Sequence, residues 1–206
     1  MNGFVPVSEA VPDVILEIRY HSTFNFVGQR VDGYDQPVAL LTREAAEALK
    51  KASDAAMALG YRLKVYDAFR PQRAVDHFAR WAENTEAVEM KPFFYPEVDK
   101  SRLFEEGYIA KRSGHSRGST VDVTLVDMLR GTDLDMGGAF DYFGERSHPG
   151  CADGLTSQQT ANRMTLRKLM TDSGFRPLDT EWWHFTLVNE PYPDTYFDFP
   201  LSEGMR

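Results

Sequence analysis

Two short stretches of this 206-residue sequence carry side chains whose types and spacing suit metal-assisted chemistry. The stretch SGHSRGSTVDVTL holds His115 and Asp122, with Gly114 before His115 and Gly118 between the two, and the later stretch EWWHF holds His184. Two imidazoles and one carboxylate can bind Zn²⁺ and leave a fourth position open for water, which is the arrangement of a catalytic zinc site. These residue types therefore favour a metal site at His115, Asp122 and His184.

Two further residues could supply the rest of a hydrolytic reaction. Glu181 precedes His184 by three positions, and a carboxylate beside a metal-bound water can take its proton and pass it to a leaving amine. Arg70 lies in YDAFRPQRAV, where Pro71 biases it away from helical geometry and fixes it at a corner of the chain. A guanidinium held there could stabilise the oxyanion of a tetrahedral intermediate or grip a substrate carboxylate.

The residues alone also leave other interpretations open. His184 lies among aromatic residues, where an imidazole is either a hydrogen-bonded core group or a metal ligand. Three other histidines could replace a ligand, namely His21, His77 and His148. We expect His77 and His148 at the surface. We do not expect Cys151 to act as a catalytic nucleophile.

The elements that must position these residues can be read from periodicity and capping signals. Helices are predicted from Thr42 to Leu59, from Pro71 to about Met90, and from a Thr156/Gln159 capping box to Gly174. Strands are predicted at YRLKVYDAF, at 120–127 and at 182–188, and an irregular stretch is predicted between the second helix and residue 120. This order favours an α+β fold, with a small, mainly antiparallel sheet flanked by helices, as one domain over 1–206.

Composition and charge exclude several function classes. The chain has 23 Lys+Arg against 31 Asp+Glu and no basic block, so it is a poor candidate for binding nucleic acid or acidic lipid. One cysteine allows no intrachain disulfide, Cys-rich zinc ribbon or iron–sulfur centre. No apolar run approaches the ~18 residues of a membrane span, and the first residues lack a signal-peptide pattern. We therefore expect a cytoplasmic protein without a membrane partner, whose acidic surface neither requires nor excludes a homodimer.

The same motifs resemble those of a known family. SGHSRGSTVD matches the S-x-H-x-x-G-x-x-x-D zinc motif, and EWWH matches the E-x-W-H element, of D-alanyl-D-alanine dipeptidases, the zinc enzymes similar to the vancomycin-resistance dipeptidase. The resemblance continues through RYHSTFNFVGQRVDGY, YDAFRPQRAV, DMGGAFDYFG and PYPDTYFDFP. It covers about Val14 to Pro200, and several motifs in one order are more specific than any single motif.

The resemblance implies a central antiparallel sheet flanked by helices and one Zn²⁺ per chain. It implies that His115, Asp122 and His184 bind this zinc ion. It also implies Glu181 as the general base and acid, and Arg70 as the group that stabilises the tetrahedral intermediate.

The resemblance further implies how a substrate is held. Ser113 and Asp141 match positions that bind the substrate ammonium, Tyr20 matches a tyrosine lining the small pocket, and Tyr34 is expected close by. The implied reaction is hydrolysis of D-alanyl-D-alanine, and the implied roles are peptidoglycan-precursor turnover, nutrient recovery or glycopeptide antibiotic resistance.

Two other functions share parts of this pattern. A related zinc D,D- or L,D-carboxypeptidase acting on longer peptidoglycan peptides would use the same ligands and glutamate. A catalytically silent peptide-binding module could keep zinc for structure alone, but it would have no need of Glu181 and Arg70. Cleavage of longer peptides, or binding without turnover, would distinguish these functions from a dipeptidase.

Overall fold

The computed structural model describes residues 3–151 and 153–202. Within them, the strands are β1 Phe4–Pro6, β2 Ile15–Leu16, β3 Leu40–Thr42, β4 Tyr61–Asp67, β5 Thr120–Asp127, β6 Phe175–Leu178 and β7 Glu181–Leu187. The α-helices are α1 Val7–Ala10, α2 Arg43–Ala58, α3 Gln72–Glu83, α4 Lys91–Phe94 and α5 Ser157–Asp172. Short 3-10 helices cover Arg19–His21, Lys100–Arg102, Gly114–Arg117 and Glu145–Ser147.

The central element is a five-stranded sheet with the strand order β2-β4-β5-β7-β6. Strand β2 runs parallel to β4, and the other neighbouring pairs are antiparallel. Strands β1 and β3 form a separate antiparallel pair. Helices α2 and α5 contact each other as well as strands of the sheet. The predicted α+β class with a mainly antiparallel sheet is confirmed.

The two longest helices begin and end where their sequence signals indicate. The Thr42 side chain accepts a hydrogen bond from the Ala45 N–H at the start of α2, and Gly60 follows the helix in the left-handed region. Helix α5 opens with the predicted capping box of Thr156 and Gln159. Gly174, with φ of 99°, follows its last residues. Local signals therefore determine both helices.

The predicted end of the helix after Pro71 is wrong. Helix α3 ends at Glu83, well before Met90. The Asn84 side chain accepts a hydrogen bond from the Glu86 N–H, so it competes with the helical hydrogen bonds at this point. The residues that follow fold into turns and the short helix α4.

Strand β5 separates apolar and polar side chains onto its two faces. Val121, Val123 and Leu125 are fully buried at alternate positions, which share one face of the strand. Asp122 and Thr124 occupy the other face and are also buried. A polar group at such a depth requires partners, so this second face marks the position of the site.

The C-terminal segment packs against the loop that carries His115. Phe197 and Phe199 contact the ring of Phe4, and the Phe197 N–H donates to the Ser116 carbonyl at 2.8 Å. The segment therefore makes a structural contact with the 3-10 helix that carries His115. Among the described residues, no helix combines the length and apolar character needed to cross a bilayer.

Candidate active site

Three ionisable side chains stand in a row across the middle of the sheet. Strand register pairs Asp122 of β5 with Asp67 of β4 on one side and with His184 of β7 on the other. Residues paired in this way point to the same face, with Cβ atoms about 4.5–5.5 Å apart. A register irregularity between Val65 and Asp67 adjusts the end of β4 beside this row. The sheet itself therefore brings Asp122 and His184 together.

His115 reaches the same place from the 3-10 helix that precedes β5. The Ser113 hydroxyl accepts a hydrogen bond from the His115 N–H at 3.3 Å, and Gly118, with φ of 81°, turns the chain into the strand. The Nδ1–H of His115 donates to the Ala68 carbonyl at 2.7 Å. Because a carbonyl can only accept, this bond fixes the tautomer and leaves Nε2 free to bind a cation.

The three donor atoms fit a tetrahedral cation. Asp122 Oδ1 lies 3.3 Å from His115 Nε2 and 3.2 Å from His184 Nδ1, and the two nitrogens are 3.3 Å apart. Ligands about 2.0–2.1 Å from a tetrahedral Zn²⁺ lie about 3.3–3.4 Å from one another. Asp122 Oδ1 is buried and has no hydrogen-bond partner among the described residues. These spacings, together with the orphaned carboxylate oxygen, match the coordination shell of zinc.

No other histidine joins this cluster in the part of the chain that the structure describes. Within the described residues, one group of three His, Cys, Asp or Glu side chains brings its ligand atoms within 4.8 Å of one another, and it consists of His115, Asp122 and His184. His77 is engaged elsewhere, since its Nδ1 accepts a hydrogen bond from the Asp32 N–H at 3.1 Å. The substitute ligands that the sequence left open are therefore not brought to the site.

The surroundings shift the pKa of two donors, Asp122 and His184. Burial opposes ionisation of Asp122, but the adjacent imidazoles of His115 and His184 outweigh it and hold the pKa of Asp122 below its ordinary value. Burial also lowers the pKa of His184, whereas its contacts with Asp122 and Glu181 raise it, and the net result is about 9. The two carboxylates therefore favour positive charge at this point.

Glu181 lies next to the three donors without being one of them. It is the first residue of β7, and its Oε2 is 3.3 Å from His184 Nδ1. Its side chain is 31% exposed, so it borders the open part of the site. A carboxylate in this position can exchange protons with a water that also contacts the three donors.

Arg70 is held by groups that the sequence analysis did not identify. Its Nε and Nη2 both lie 2.9 Å from Asp67 Oδ2, and Nη2 lies 3.6 Å from Asp122 Oδ2. Its guanidinium also lies over the ring of Tyr20. The Tyr34 hydroxyl donates to Asp67 Oδ1 at 2.6 Å. An acidic residue at the end of an apolar strand, three positions before Arg70, was the available signal for Asp67.

Tyr34 lies close to Tyr20, as expected, with the two ring centroids 5.6 Å apart. It is fully buried behind Asp67 and is absent from the residues lining the cavity beside the three donors. Its hydroxyl donates to Asp67, which in turn binds Arg70. The structure thus connects Tyr34 to the cavity through Asp67 and Arg70.

Tyr20 and Asp141 form a buried pair on the cavity wall. The Tyr20 hydroxyl donates to Asp141 Oδ2 at 2.8 Å. Burial and the nearby Asp122 carboxylate raise the pKa of Asp141, and burial together with Asp141 raises that of Tyr20. Asp141 also has a left-handed backbone, with φ of 61°. A cationic group entering the cavity would lower the pKa of this carboxyl group and favour its charged form.

The groups of the site surround one cavity of about 280 Å³. Its lining includes the three donors, Glu181, Arg70, Ser113, Tyr20 and Asp141, but neither Asp67 nor Tyr34. This volume lies at the lower end of the range for small-molecule sites, about 300–1,000 Å³. The cavity includes apolar and aromatic residues that the sequence analysis missed, namely Phe26, Phe78, Tyr108, Ile109, Phe143 and Leu178. Several of them come from segments without regular periodicity, so their common location required the tertiary structure.

The chain is similar to several known proteins. The profile of a peptidase family described as D-ala-D-ala dipeptidase matches residues 1–202. A protein of Enterococcus faecalis named D-alanyl-D-alanine dipeptidase is 43% identical over 201 residues, which are 98% of this chain and 99% of that protein. A Streptomyces coelicolor protein of the same name is 42% identical over 203 residues, covering 98% and 100% of the two chains. The solved structure of VanYB in complex with D-Alanine-D-Alanine aligns with 76% of each chain at 16% identity and a TM-score of 0.44.

The two sequence relatives are similar to this chain over almost its whole length, so the likeness includes the sheet, the preceding 3-10 helix and the segment around Asp141. The chain therefore belongs to the D-Ala-D-Ala dipeptidase family of metallopeptidases.

Proposed function

We propose that this protein is a zinc-dependent D,D-dipeptidase that hydrolyses D-alanyl-D-alanine to two molecules of D-alanine. The observation that carries the proposal is the convergence of His115, Asp122 and His184 beside Glu181 and Arg70 in one small cavity. The names of the relatives indicate the substrate. The spacing of the three donor atoms supports Zn²⁺ as the metal.

His115, Asp122 and His184 would hold the zinc ion. When bound, zinc polarises a carbonyl and lowers the pKa of water. The Nδ1–H bond from His115 to Ala68 keeps its imidazole in the tautomer that this binding requires.

Glu181 is the proton carrier of the proposed reaction. Its carboxylate borders the cavity beside His184, within reach of a water that attacks the scissile carbonyl. It accepts the proton of that water and then gives it to the nitrogen of the leaving D-alanine. The carboxylate is thereby regenerated at the end of the cycle.

Arg70 stabilises the negative charge that develops on the carbonyl oxygen. Asp67 engages its Nε and Nη2, while the side chain also lines the cavity. A guanidinium fixed before the reaction needs no reorganisation when the oxyanion forms. The ion pair with Asp67 therefore serves to pre-orient the donor.

Another part of the cavity lining suits the substrate ammonium. Asp141 supplies a carboxyl group there, the Tyr20 hydroxyl holds it, and Ser113 adds a hydroxyl on the lining. Since the cavity measures about 280 Å³, a free dipeptide fits its size better than a pentapeptide. This size limit favours a dipeptidase over a carboxypeptidase for longer peptidoglycan peptides.

The decisive assay measures release of free D-alanine from zinc-loaded protein whose metal content is known. The substrates are D-Ala-D-Ala, L-Ala-L-Ala and a pentapeptide ending in D-Ala-D-Ala. We expect release from D-Ala-D-Ala alone. Release from the pentapeptide would identify a carboxypeptidase, and binding of D-Ala-D-Ala without any release would identify a binding module.

A further inference from the structure

A buried arginine of α5 donates hydrogen bonds to the backbone of the segment that carries Asp141. Arg163 is only 3% exposed. Its Nε donates to the Met136 carbonyl at 2.6 Å, its Nη1 to the His148 carbonyl at 3.0 Å, and its Nη2 to the Arg146 carbonyl at 2.8 Å. Met136 precedes Asp141 in the chain, whereas the other two acceptors follow it. One side chain therefore ties together both arms of segment 136–148.

The chemistry of this contact is unusual for a buried charge. Within the described residues, no carboxylate lies in ion-pair distance of Arg163, and the acceptors are backbone carbonyls. Burying an unpaired charge is costly, and an apolar side chain could instead extend the apolar packing of Leu166 and Met170 on this helix. Only the planar fork of arginine, with its five N–H donors, can bridge three carbonyls at once.

Neighbouring residues of α5 hold the beginning of the same segment. The Asn162 side chain donates to the Asp135 carbonyl, and the Gln159 side chain donates to the Asp135 carboxylate, both at 2.8 Å. Gly137, with φ of 75°, lets the backbone pass close to the helix, because a Cβ there would lie 2.3 Å from the Leu155 side chain. The first turns of α5 thus act as an anchor for the segment.

Asp141 depends on such an anchor because its backbone is strained. Among the described residues it is the one non-glycine position with positive φ, at 61°. A conformation of this kind is unfavourable for a residue with a side chain and persists only where the surroundings hold it. At the side chain, Asp141 has a single hydrogen-bond partner in the described chain, the Tyr20 hydroxyl. The contacts of Arg163 on both sides of it supply backbone restraint.

We propose that Arg163 is a positioning residue for substrate recognition, which holds segment 136–148 so that the Asp141 carboxylate faces the cavity. The inference rests on the proposed function, in which Asp141 receives the substrate ammonium. Loss of Arg163 should therefore weaken substrate binding more than it slows the chemical step.

The test compares Arg163→Gln and Arg163→Lys with the wild type and with Met170→Ala. Met170 is a buried residue of the same helix outside the substrate-binding and catalytic groups, so its variant controls for general loss of stability. We expect Arg163→Gln to raise KM for D-Ala-D-Ala roughly 10- to 100-fold, with a smaller fall in kcat and unchanged zinc content. Arg163→Lys should lie between, since one ammonium reaches fewer carbonyls, and Met170→Ala should leave KM unchanged.

A double-mutant cycle with Asp141→Asn tests whether the effect passes through Asp141. If it does, adding Arg163→Gln to Asp141→Asn should change KM little, whereas a full additional loss would overturn the inference. An unchanged KM in Arg163→Gln, with an active wild type, would overturn the inference alone.

Hydrogen exchange separates this inference from the proposed function. Amides of residues 136–148 should exchange faster in Arg163→Gln than in Met170→Ala, whether or not the wild type hydrolyses D-Ala-D-Ala. Equal exchange in the two variants would refute the anchor. An inactive, zinc-loaded wild type with the expected exchange difference would refute the proposed function and leave the anchor supported.

Discussion

The two sides of the cavity obtain their geometry in different ways. On the sheet side, Asp67, Asp122 and His184 are neighbours through strand register, which is maintained by backbone hydrogen bonds along whole strands. On the other side, Asp141 lies in a segment with little regular structure, whose restraints include side-chain hydrogen bonds from Arg163 and Tyr20.

The difference separates catalysis from recognition. A register shared by many residues makes the metal-binding geometry insensitive to the loss of any single neighbouring contact. A segment fixed by a few side chains can adapt its shape, but it is vulnerable to single substitutions. We therefore expect substitutions on the sheet side to remove metal or chemistry, and substitutions on the segment side to change substrate affinity.

The largest expected effect is that of His184→Ala. This change removes one of three donor atoms and leaves the buried Asp122 carboxylate with one fewer cationic partner. Zinc content measured by atomic absorption should fall to background, and turnover should be lost. Asp141→Asn is the matched variant from the opposite side and should retain zinc. Equal zinc loss in both variants would contradict the division between the two regions.

Glu181→Ala tests a sheet residue that borders the donors without joining them. Because Glu181 carries protons in the proposed reaction, kcat should fall roughly 10²- to 10⁴-fold. Zinc content should remain that of the wild type, since the three donor atoms are untouched. Wild-type kcat in this variant would remove Glu181 from its role, and loss of zinc would make it a ligand.

The pH dependence of stability probes the donor cluster of the chelator-treated protein. The pKa of His184 is raised to about 9, so its protonated form stabilises the fold fully below its ordinary pKa near 6.5. That contribution is lost as pH rises through about 9 and is on the order of 3 kcal/mol. Urea unfolding between pH 6 and 9.5 should show the fall. His184→Gln should show a much flatter profile, and Asp141→Asn should keep the fall.

Tyr34→Phe has the smallest expected effect. It tests whether Tyr34 influences the reaction indirectly, by orienting Arg70 through Asp67. The variant loses the hydroxyl that donates to Asp67. Arg70 becomes less firmly oriented, so kcat should fall roughly threefold to tenfold, corresponding to about 1 kcal/mol. KM for D-Ala-D-Ala should stay close to that of the wild type. A rise in KM with unchanged kcat would instead indicate direct contact with substrate.

Sequence patterns predicted the long elements better than the short ones. Helices α2 and α5 and strands β4, β5 and β7 each contain enough residues to display a period, and the two helices also carry caps. Strands β1, β2, β3 and β6 have two to four residues, too few for a pattern. They are strands because a partner strand lies beside them. The error at Met90 has a different origin. Helix α3 ends at Glu83, and the Asn84 side chain then accepts a hydrogen bond from the Glu86 N–H.

The candidate site divides along a similar line. Sequence motifs identified His115, Asp122 and His184, and the structure brings these three together. The sequence analysis did not identify Asp67 or the anchoring role of Arg163. The role of Arg163 depends on carbonyl groups at least 15 positions away. Asp67 lies three residues from Arg70, but its neighbours Tyr34 and Asp122 are remote in sequence.

The sequence by itself determined the available chemistry and the local elements. Residue types set which side chains can bind a cation or carry a proton, and local periodicity and caps set the helices and the long strands, because these depend on neighbours a few positions away. Only the tertiary structure decided that Asp67 stands beside Asp122, that Tyr34 lies behind Arg70, and that α5 holds the segment of Asp141. Those contacts join residues distant along the chain, and their geometry follows from strand register and packing that no local pattern encodes.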